Sequence, residues 1–217
     1  MQKSAIEQHL HQRCNATYFH YIRHHIFSAG TQIGQNRNAL ADFGKVVKNR
    51  AYSYEQENGV YIKKNLNYSN VGATSLFTTV EDLAKWALNF ENPKIGGAQL
   101  IGKFNEPAFL DDGKPAILAV VDGETIYHAK GQFVRNYRGL NLYNHTGGDA
   151  GFRTYLARFP DQKFSVIVLS NDYAFQSLKS GLDIAEFYLK DELKKKALNQ
   201  TTVKKRKINS LKFLTAH

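Results

Sequence analysis

From residue 145 to residue 170 the chain reads HTGGDAGFRTYLARFPDQKFSVIVLS. Apolar and polar residues alternate over 152–159 and 164–170, as in β-strands. Between the two segments, Pro160 supplies a preset φ and Asp161 a short carboxylate, which together predict a type I turn and an antiparallel hairpin. The glycine-rich segment 147–151 is predicted to reverse the chain just before this hairpin. Residues 164–169 end in an apolar run on both faces, which predicts a central strand covered on each side.

The same alternation extends toward the N-terminus. Strands are predicted over residues 117–121, 125–129, 132–137 and 139–146, with Asp122-Gly123 as a two-residue hairpin turn. Residues 174–196 predict a long helix, because apolar residues recur every three or four positions at Phe175, Leu178, Leu182, Ala185, Leu189 and Leu193. The sequence therefore predicts an α+β fold in which an antiparallel sheet of about five strands is packed by a C-terminal helix.

A further helix is predicted before the sheet. A hydroxyl at Thr78 or Thr79 can cap its first turn, Glu81 or Asp82 can complete a capping box, and Pro93 ends it. We divide the chain into four regions on this basis. Residues 1–50 are a poorly patterned helical remnant, residues 51–113 are the loop-and-helix part of a partial helical lobe, residues 114–196 hold the sheet and the C-terminal helix, and residues 197–217 are a basic tail.

Composition excludes several classes of protein. The chain has 217 residues, 42% of them hydrophobic, which suffices for one buried core. No apolar run reaches the roughly 18 residues of a membrane span, and no signal peptide is recognisable, so a cytoplasmic location is expected for the chain as written. Cys14 is the only cysteine, which excludes an internal disulfide. The net charge is +10, but the basic runs at 194–196 and 204–207 contain no aromatic residues for base stacking, so nucleic-acid binding is not expected.

Two stretches resemble beta-lactamase-related serine hydrolases. Residues 71–86, VGATSLFTTVEDLAKW, are similar to that family's glycine turn and E-D-L-A helix start. Residues 145–152 are similar to its H-x-G-G and G-F series, and F-P at 159–160, an apolar strand and S-N at 170–171 follow in the family's order. The resemblance covers residues 49–196 and implies a truncated beta-lactamase or transpeptidase-like fold. It also implies kinship with class C beta-lactamases, penicillin-binding proteins and certain esterases.

The resemblance implies a site made of three motifs. In S-x-x-K, the serine and lysine lie one helical turn apart, so that the amine can help to remove the hydroxyl proton. A tyrosine in Y-x-N assists, and a strand carrying K-T-G or H-x-G contributes a backbone N–H to the oxyanion hole. The chain has the third motif as His145-Thr146-Gly147. His145 is therefore the catalytic candidate, and Thr146, Gly147 and Gly148 are the candidates for the substrate-binding, oxyanion side.

The other two motifs have no convincing counterpart. No serine of the chain is followed by a lysine three positions later. Thr201 and Lys204 have that spacing but lie in the basic tail. Tyr68-Ser69-Asn70 spells Y-x-N, but it lies directly before the glycine turn and much closer to His145 than the family's motif does. We interpret it as a chance match.

Two functions of different classes follow. In the first, the chain is a serine hydrolase fragment whose intact family acts on amides or esters of small molecules, and it is inactive alone because S-x-x-K is absent. In the second, it is a non-catalytic binding or interaction protein that uses the retained sheet and the basic tail. A missing N-terminal segment or self-association would then cover an exposed apolar face or strand edge.

Purely structural interpretations of single residues also remain open. His145 could be a strand-end histidine that bonds solvent or a carbonyl, and Gly147 and Gly148 could simply form a tight turn. His20 and His24 are spaced for one helix face, but no third ligand lies at a motif spacing. No metal and no cofactor are expected.

Overall fold

The structure, a computed structural model, describes residues 39–40, 49–65 and 76–195. Several sequence features lie outside these residues: the Tyr68-Ser69-Asn70 motif, the glycine turn at 71–75, the histidines His20 and His24, and the tail at 197–217. In the described part of the chain, no helix is both long and apolar enough to cross a membrane.

The helices and strands have the following bounds. The strands are β1 (Ala39–Leu40), β2 (Ser53–Glu57), β3 (Val60–Lys64), β4 (Leu76–Phe77), β5 (Ile117–Val121), β6 (Glu124–His128), β7 (Phe133–Tyr137), β8 (Leu140–Asp149), β9 (Phe152–Phe159) and β10 (Phe164–Ser170). The helices are α1 (Val80–Glu91), α2 (Gly97–Asn105) and α3 (Ser177–Tyr188), and a 3-10 turn spans Pro160–Gln162.

The main sheet is an antiparallel meander in the order β10-β9-β8-β7-β6-β5, so each strand pairs with its neighbour in sequence. The predicted α+β fold with an antiparallel sheet is confirmed, with six strands rather than about five. Asp122 and Gly123 have φ values of 52° and 80°, the two left-handed residues that a type I′ hairpin turn requires. β1 pairs with β4, and β2 with β3, in two separate antiparallel ladders.

The prediction that residues 164–169 form a central strand does not hold for the sheet that the described residues form. β10 lies at the end of the six-stranded sheet, and β9 is its strand neighbour among the described residues. Its apolar character has another cause, because both α1 and α3 contact β10. The hydrophobic pattern reports which faces of a strand are covered, and it carries no information on what lies beside the strand.

The chain reversal predicted at 147–151 lies nearer the end of that segment than predicted. Gly147 and Gly148 lie inside β8, which continues to Asp149, and the turn is confined to Ala150 and Gly151. The Gly151 amide donates to Ser53 Oγ at 3.0 Å, and a Cβ at Gly151 would lie 2.7 Å from the Tyr54 carbonyl oxygen. The hairpin of β2 and β3 is thus docked against this turn, and only glycine allows so close an approach.

The main core lies between α3 and one face of the sheet. Tyr155 and Phe159 of β9 and Leu142 of β8 are almost completely buried there, together with Ala185 of α3. The predicted helix at 174–196 is shorter than expected, since α3 ends at Tyr188. Its last predicted apolar positions, Leu189 and Leu193, nevertheless belong to the core.

Helix α1 begins where the sequence predicts. The Thr79 hydroxyl accepts a hydrogen bond from the Asp82 amide at 3.2 Å, which caps the first turn. In the last turn of the helix, the Asn89 side chain accepts hydrogen bonds from the amides of Lys94 and Ile95 and donates one to the Ile95 carbonyl. This buried amide holds the loop that leads into α2.

Candidate functional site

Strand β8 extends beyond its neighbour β7. The ladder between them ends at the pair of Phe133 and Asn144, whereas β8 pairs with β9 as far as Asp149. Over residues 146–148 no described strand accompanies β8 on the β7 side. Backbone N–H and C=O groups alternate along such an edge, so this segment can pair with an extended ligand.

His145 stands at the start of this overhang. Its ring stacks on Phe133 of β7, with ring centroids 4.8 Å apart and planes inclined by 13°. Its Nδ1 lies 2.6 Å from the carbonyl oxygen of Thr146, which can only accept, so Nδ1 carries the proton. In the neutral imidazole, Nε2 is then the acceptor nitrogen.

The three residues after His145 differ in their surroundings. Thr146 and Gly148 are exposed, while Gly147 is half-buried. A Cβ at Gly147 would overlap the hydroxyl of Thr154 on β9, so this position accepts only glycine without a shift of its neighbour. The structure therefore brings all four predicted site residues together on one strand, with the glycines extended rather than turned.

A pocket adjoins His145 on the side of the sheet that faces α1. Aromatic, apolar and basic side chains from four parts of the chain line it: Trp86 and Phe90 of α1, Phe104 of α2, Lys130 and Gln132 of the loop after β6, and Tyr143, Leu156 and Arg158 of the sheet. Tyr143 and Arg158 are directly opposite each other in the β8–β9 ladder, as are His145 and Leu156. The pocket thus reaches His145, where the overhang of β8 begins.

Arg158 is the charged residue buried in this pocket, with 4% of its surface exposed. Its guanidinium carbon lies 3.6 Å from the centre of the Phe90 ring and 5.3 Å from that of Tyr143. Nη2 donates to Gln132 Oε1 at 2.8 Å and to Asn105 Oδ1 at 3.0 Å. Burial lowers the pKa of Arg158 to about 10, so the group stays protonated at neutral pH.

The loop after β6 is tied to the end of α2. Gln132 Nε2 donates to the Phe104 carbonyl at 2.7 Å, and Lys130 Nζ donates to the Lys103 carbonyl at 2.8 Å. Lys130 also lies 3.8 Å from a carboxylate oxygen of Glu106. These contacts connect the helical part of the chain to the sheet at the pocket.

Sequence reasoning missed Arg158, Gln132 and Trp86. A charged residue inside the otherwise apolar TYLARF segment was the available signal for Arg158, because such a residue must find polar partners within the fold. Gln132 and Trp86 had no comparable signal, since their place in the pocket depends on how α1 and the loop after β6 meet the sheet. In the described part of the chain, no group of three or more His, Cys, Asp or Glu is placed to hold a metal ion.

Comparison with known proteins identifies one family. The family model described as Beta-lactamase matches residues 17–186. No match was found among curated protein sequences.

Three solved structures share the fold. The octameric penicillin-binding protein homologue from Pyrococcus abyssi has 20% identity and a TM-score of 0.65, over 80% of this chain and 38% of that one. A penicillin-binding protein from Bacillus halodurans has 19% identity and a TM-score of 0.59, over 78% of this chain and 48% of that one. A D-stereospecific amidohydrolase from Streptomyces sp. has 12% identity and a TM-score of 0.51, over 73% and 45%. The chain thus spans less than half the length of each, and the likeness confirms the predicted fold alone.

Proposed function

Because this chain belongs to the beta-lactamase family, we propose that it supplies the substrate-side strand of a serine-hydrolase site and does not turn over substrate by itself. The substrate class is a small-molecule amide or ester. His145 is the catalytic candidate on this strand, and Thr146, Gly147 and Gly148 form the oxyanion side. No cofactor is part of the proposal.

The overhang of β8 carries this proposal. Residues 146–148 are paired with β9 on one side and have no described strand on the other, next to the pocket beside His145. An extended substrate can pair with this edge, so that a backbone N–H lies close to the carbonyl oxygen that becomes negative during acyl transfer. His145, whose Nε2 is the acceptor nitrogen, can receive or relay a proton at the same place.

The expected lack of turnover rests on the missing nucleophile. The chain contains no S-x-x-K. Among the described residues, Ser53 lies near the β8–β9 turn, but it is 1% exposed, and its hydroxyl accepts from the Gly151 amide and donates to the Lys64 carbonyl. A nucleophile and its base act as a unit, so a substrate-binding edge alone leaves very weak catalysis.

The first experiment measures turnover. The purified chain is incubated with a chromogenic cephalosporin and, separately, with a short-chain nitrophenyl ester, beside a heat-denatured control. We expect both rates to equal the control. Turnover accompanied by a covalent acyl-serine adduct in the mass spectrum would refute the proposal.

The second experiment locates the substrate. Backbone amide NMR signals are followed while the cephalosporin is added to the folded chain. We expect shifts at residues 146–148 and none at Gly102, which lies on the exposed side of α2. Shifts confined to other strands would contradict the assignment of β8 as the substrate edge.

A second function, association with another protein chain, has its own supporting observation. Ile184, Phe187 and Tyr188 of α3 are 42%, 73% and 68% exposed, and the Tyr188 ring lies 5.7 Å from that of Phe164 on β10, the end strand of the described sheet. An uncharged edge strand beside exposed apolar groups favours pairing with another strand. Light scattering tests this association, and the fluorescence of an apolar dye tests for exposed apolar surface. A chain that is monomeric at all concentrations and binds no dye would exclude the second function.

A further inference from the structure

Strand β5 ends the described six-stranded sheet on the side opposite β10. It pairs with β6 on one side, and on its other side no strand of the described part of the chain accompanies it. Ile117, Val120 and Val121 are exposed, and β5 contains no charged residue. An apolar, uncharged edge is normally paired or covered, because its free backbone groups would otherwise pair with other chains.

The surroundings of β5 are acidic, although the chain as a whole is basic. Residues 106–124 contain five carboxylates and one lysine, whereas the net charge of the chain is +10. Asp111 and Asp112 lie exposed in the turn before β5, and Asp122 lies exposed in the turn after it. The single lysine, Lys114, is already paired with Asp112. A cationic segment therefore matches this edge better than an anionic one.

The described chain reaches its last residue, 195, close to this edge. The Lys194 amide donates to the Arg138 carbonyl at 2.8 Å, and Arg138 Nε donates to the Lys194 carbonyl at 2.9 Å, so residue 194 lies against the β7–β8 turn. In an antiparallel meander this turn and the β5–β6 turn lie at the same end of the sheet, two strand spacings or about 10 Å apart. An extended chain advances about 3.3 Å per residue, so a few residues after 195 suffice to reach the end of β5.

The basic tail has the residues that such an edge requires. Residues 201–203 are Thr-Thr-Val, three β-branched residues that favour strands, and residues 204–207 are Lys-Lys-Arg-Lys. The whole tail, 197–217, contains five lysine or arginine residues and no carboxylate. A segment that enters at the β5–β6 turn runs antiparallel to β5, so its Thr-Thr-Val part can pair with β5 while the basic run extends toward Asp111 and Asp112.

We propose that residues 201–207 of the basic tail add a strand to the described sheet by pairing antiparallel with β5 of the same chain. Backbone hydrogen bonds to residues 119–121, where β5 pairs regularly with β6, supply the affinity. Attraction between the basic run and the acidic turn before β5 fixes the direction of the segment. The pairing covers the apolar edge, and it does not depend on substrate binding at β8.

A spin label on the tail tests this pairing without assuming an exact register. Cys14→Ser removes the single cysteine, and a nitroxide is attached at Ser210→Cys, just beyond the basic run. We expect the amide NMR signals of residues 117–121 to broaden and those of β10, at the other end of the sheet, to stay sharp. The same label at Lys179→Cys is the control, because α3 contacts β9 and β10, and it should broaden β10 and spare β5.

Proline variants test the backbone pairing. Val203→Pro removes an N–H from the proposed strand and should abolish the broadening at β5. Leu211→Pro is the matched control, because it lies in the same tail outside the proposed strand, and it should leave the broadening unchanged.

Charge variants test the direction of the segment. Asp111→Lys should weaken the broadening at β5 about two- to fivefold, because an exposed charge pair is replaced by a repulsion. Asp183→Lys reverses an exposed carboxylate on α3 and should have no effect on β5.

Three results would overturn the proposal. The first is the absence of broadening at residues 117–121, and the second is equal broadening with Val203→Pro. The third is broadening on an isotope-labelled chain without nitroxide when it is mixed with the nitroxide-labelled chain, because the tail would then bind a second copy. All three leave the turnover and β8 amide experiments unaffected, so this proposal and the proposed function can fail separately.

Discussion

Replacing Gly181 by alanine has two opposing effects on the free energy of unfolding. Gly181 lies inside α3, where alanine is favoured over glycine by about 1 kcal/mol through helix propensity. The added Cβ would lie 2.8 Å from Cε1 of Tyr155 and closer still to Cδ1. Tyr155 is 1% exposed and cannot move aside without disturbing the core.

Overpacking of a core costs about 1–3 kcal/mol, and a contact with two ring atoms of a fixed side chain belongs near the upper end. Subtracting the gain in propensity leaves a net loss of about 2 kcal/mol in the free energy of unfolding. For a chain of this size, that corresponds to a fall in Tm of about 4–8 °C.

Gly102→Ala is the matched control. Gly102 also lies inside a helix, α2, but a Cβ there would meet no atom within 4 Å. This variant should gain about 1 kcal/mol, because the propensity term acts alone. Urea unfolding is followed by Trp86 fluorescence and by circular dichroism for both variants. If Gly181→Ala proves as stable as the unmodified chain, the contact between α3 and Tyr155 is looser than described, and the reasoning fails.

Three further predictions concern buried hydroxyl groups. Ser53→Ala should lower the free energy of unfolding by about 2 kcal/mol in urea titrations, because it leaves the buried Gly151 amide and the half-buried Lys64 carbonyl without their hydrogen-bond partner. Tyr155→Phe should leave stability unchanged or raise it by up to about 1 kcal/mol, since its buried hydroxyl has no hydrogen-bond partner among the described residues. Tyr137→Phe should cost about 1.5–3 kcal/mol, because that hydroxyl donates to Glu186 at 2.5 Å. Thermal unfolding compares the two variants, and the reverse order of stability would contradict the structure. Burial raises the pKa of both tyrosines above 10.0, so stability present below pH 10 should fall as pH rises beyond it, when only the unfolded chain has lost these protons. The pH dependence of the urea midpoint tests this, and the double Phe variant should show a smaller fall that does not vanish, because burial also raises the pKa of Tyr143.

Local features of the fold were readable from the sequence. The alternation of residues 117–170 predicted the strands, Asp122-Gly123 predicted a two-residue hairpin turn, and Thr79 was one of two candidates for the cap of α1. Each depends on residues a few positions apart, whose steric and hydrogen-bonding preferences act before any distant contact forms. His145, Thr146 and Gly147 were found for a related reason, because a short motif can be recognised in the sequence even when the other two motifs are absent.

Tertiary structure decided the lateral and long-range relations. Burial of β10 by α1 and α3 produced the same apolar pattern that a central strand would have, so its position at the end of the described sheet could not be read from that pattern. Gly147 was predicted to lie in a turn but pairs with Thr154 in the β8–β9 ladder, and it is a glycine there because the Thr154 side chain occupies the space of a Cβ. Arg158 acquires its aromatic and amide neighbours from α1, α2 and the loop after β6. The sequence by itself determined which segments extend, turn or coil, and which strand bears the family motif. Only the packing of elements distant along the chain determined that residues 146–148 of β8 have no described strand on one side and that Arg158 is buried nearby. Both features depend on the neighbours that a residue meets in space.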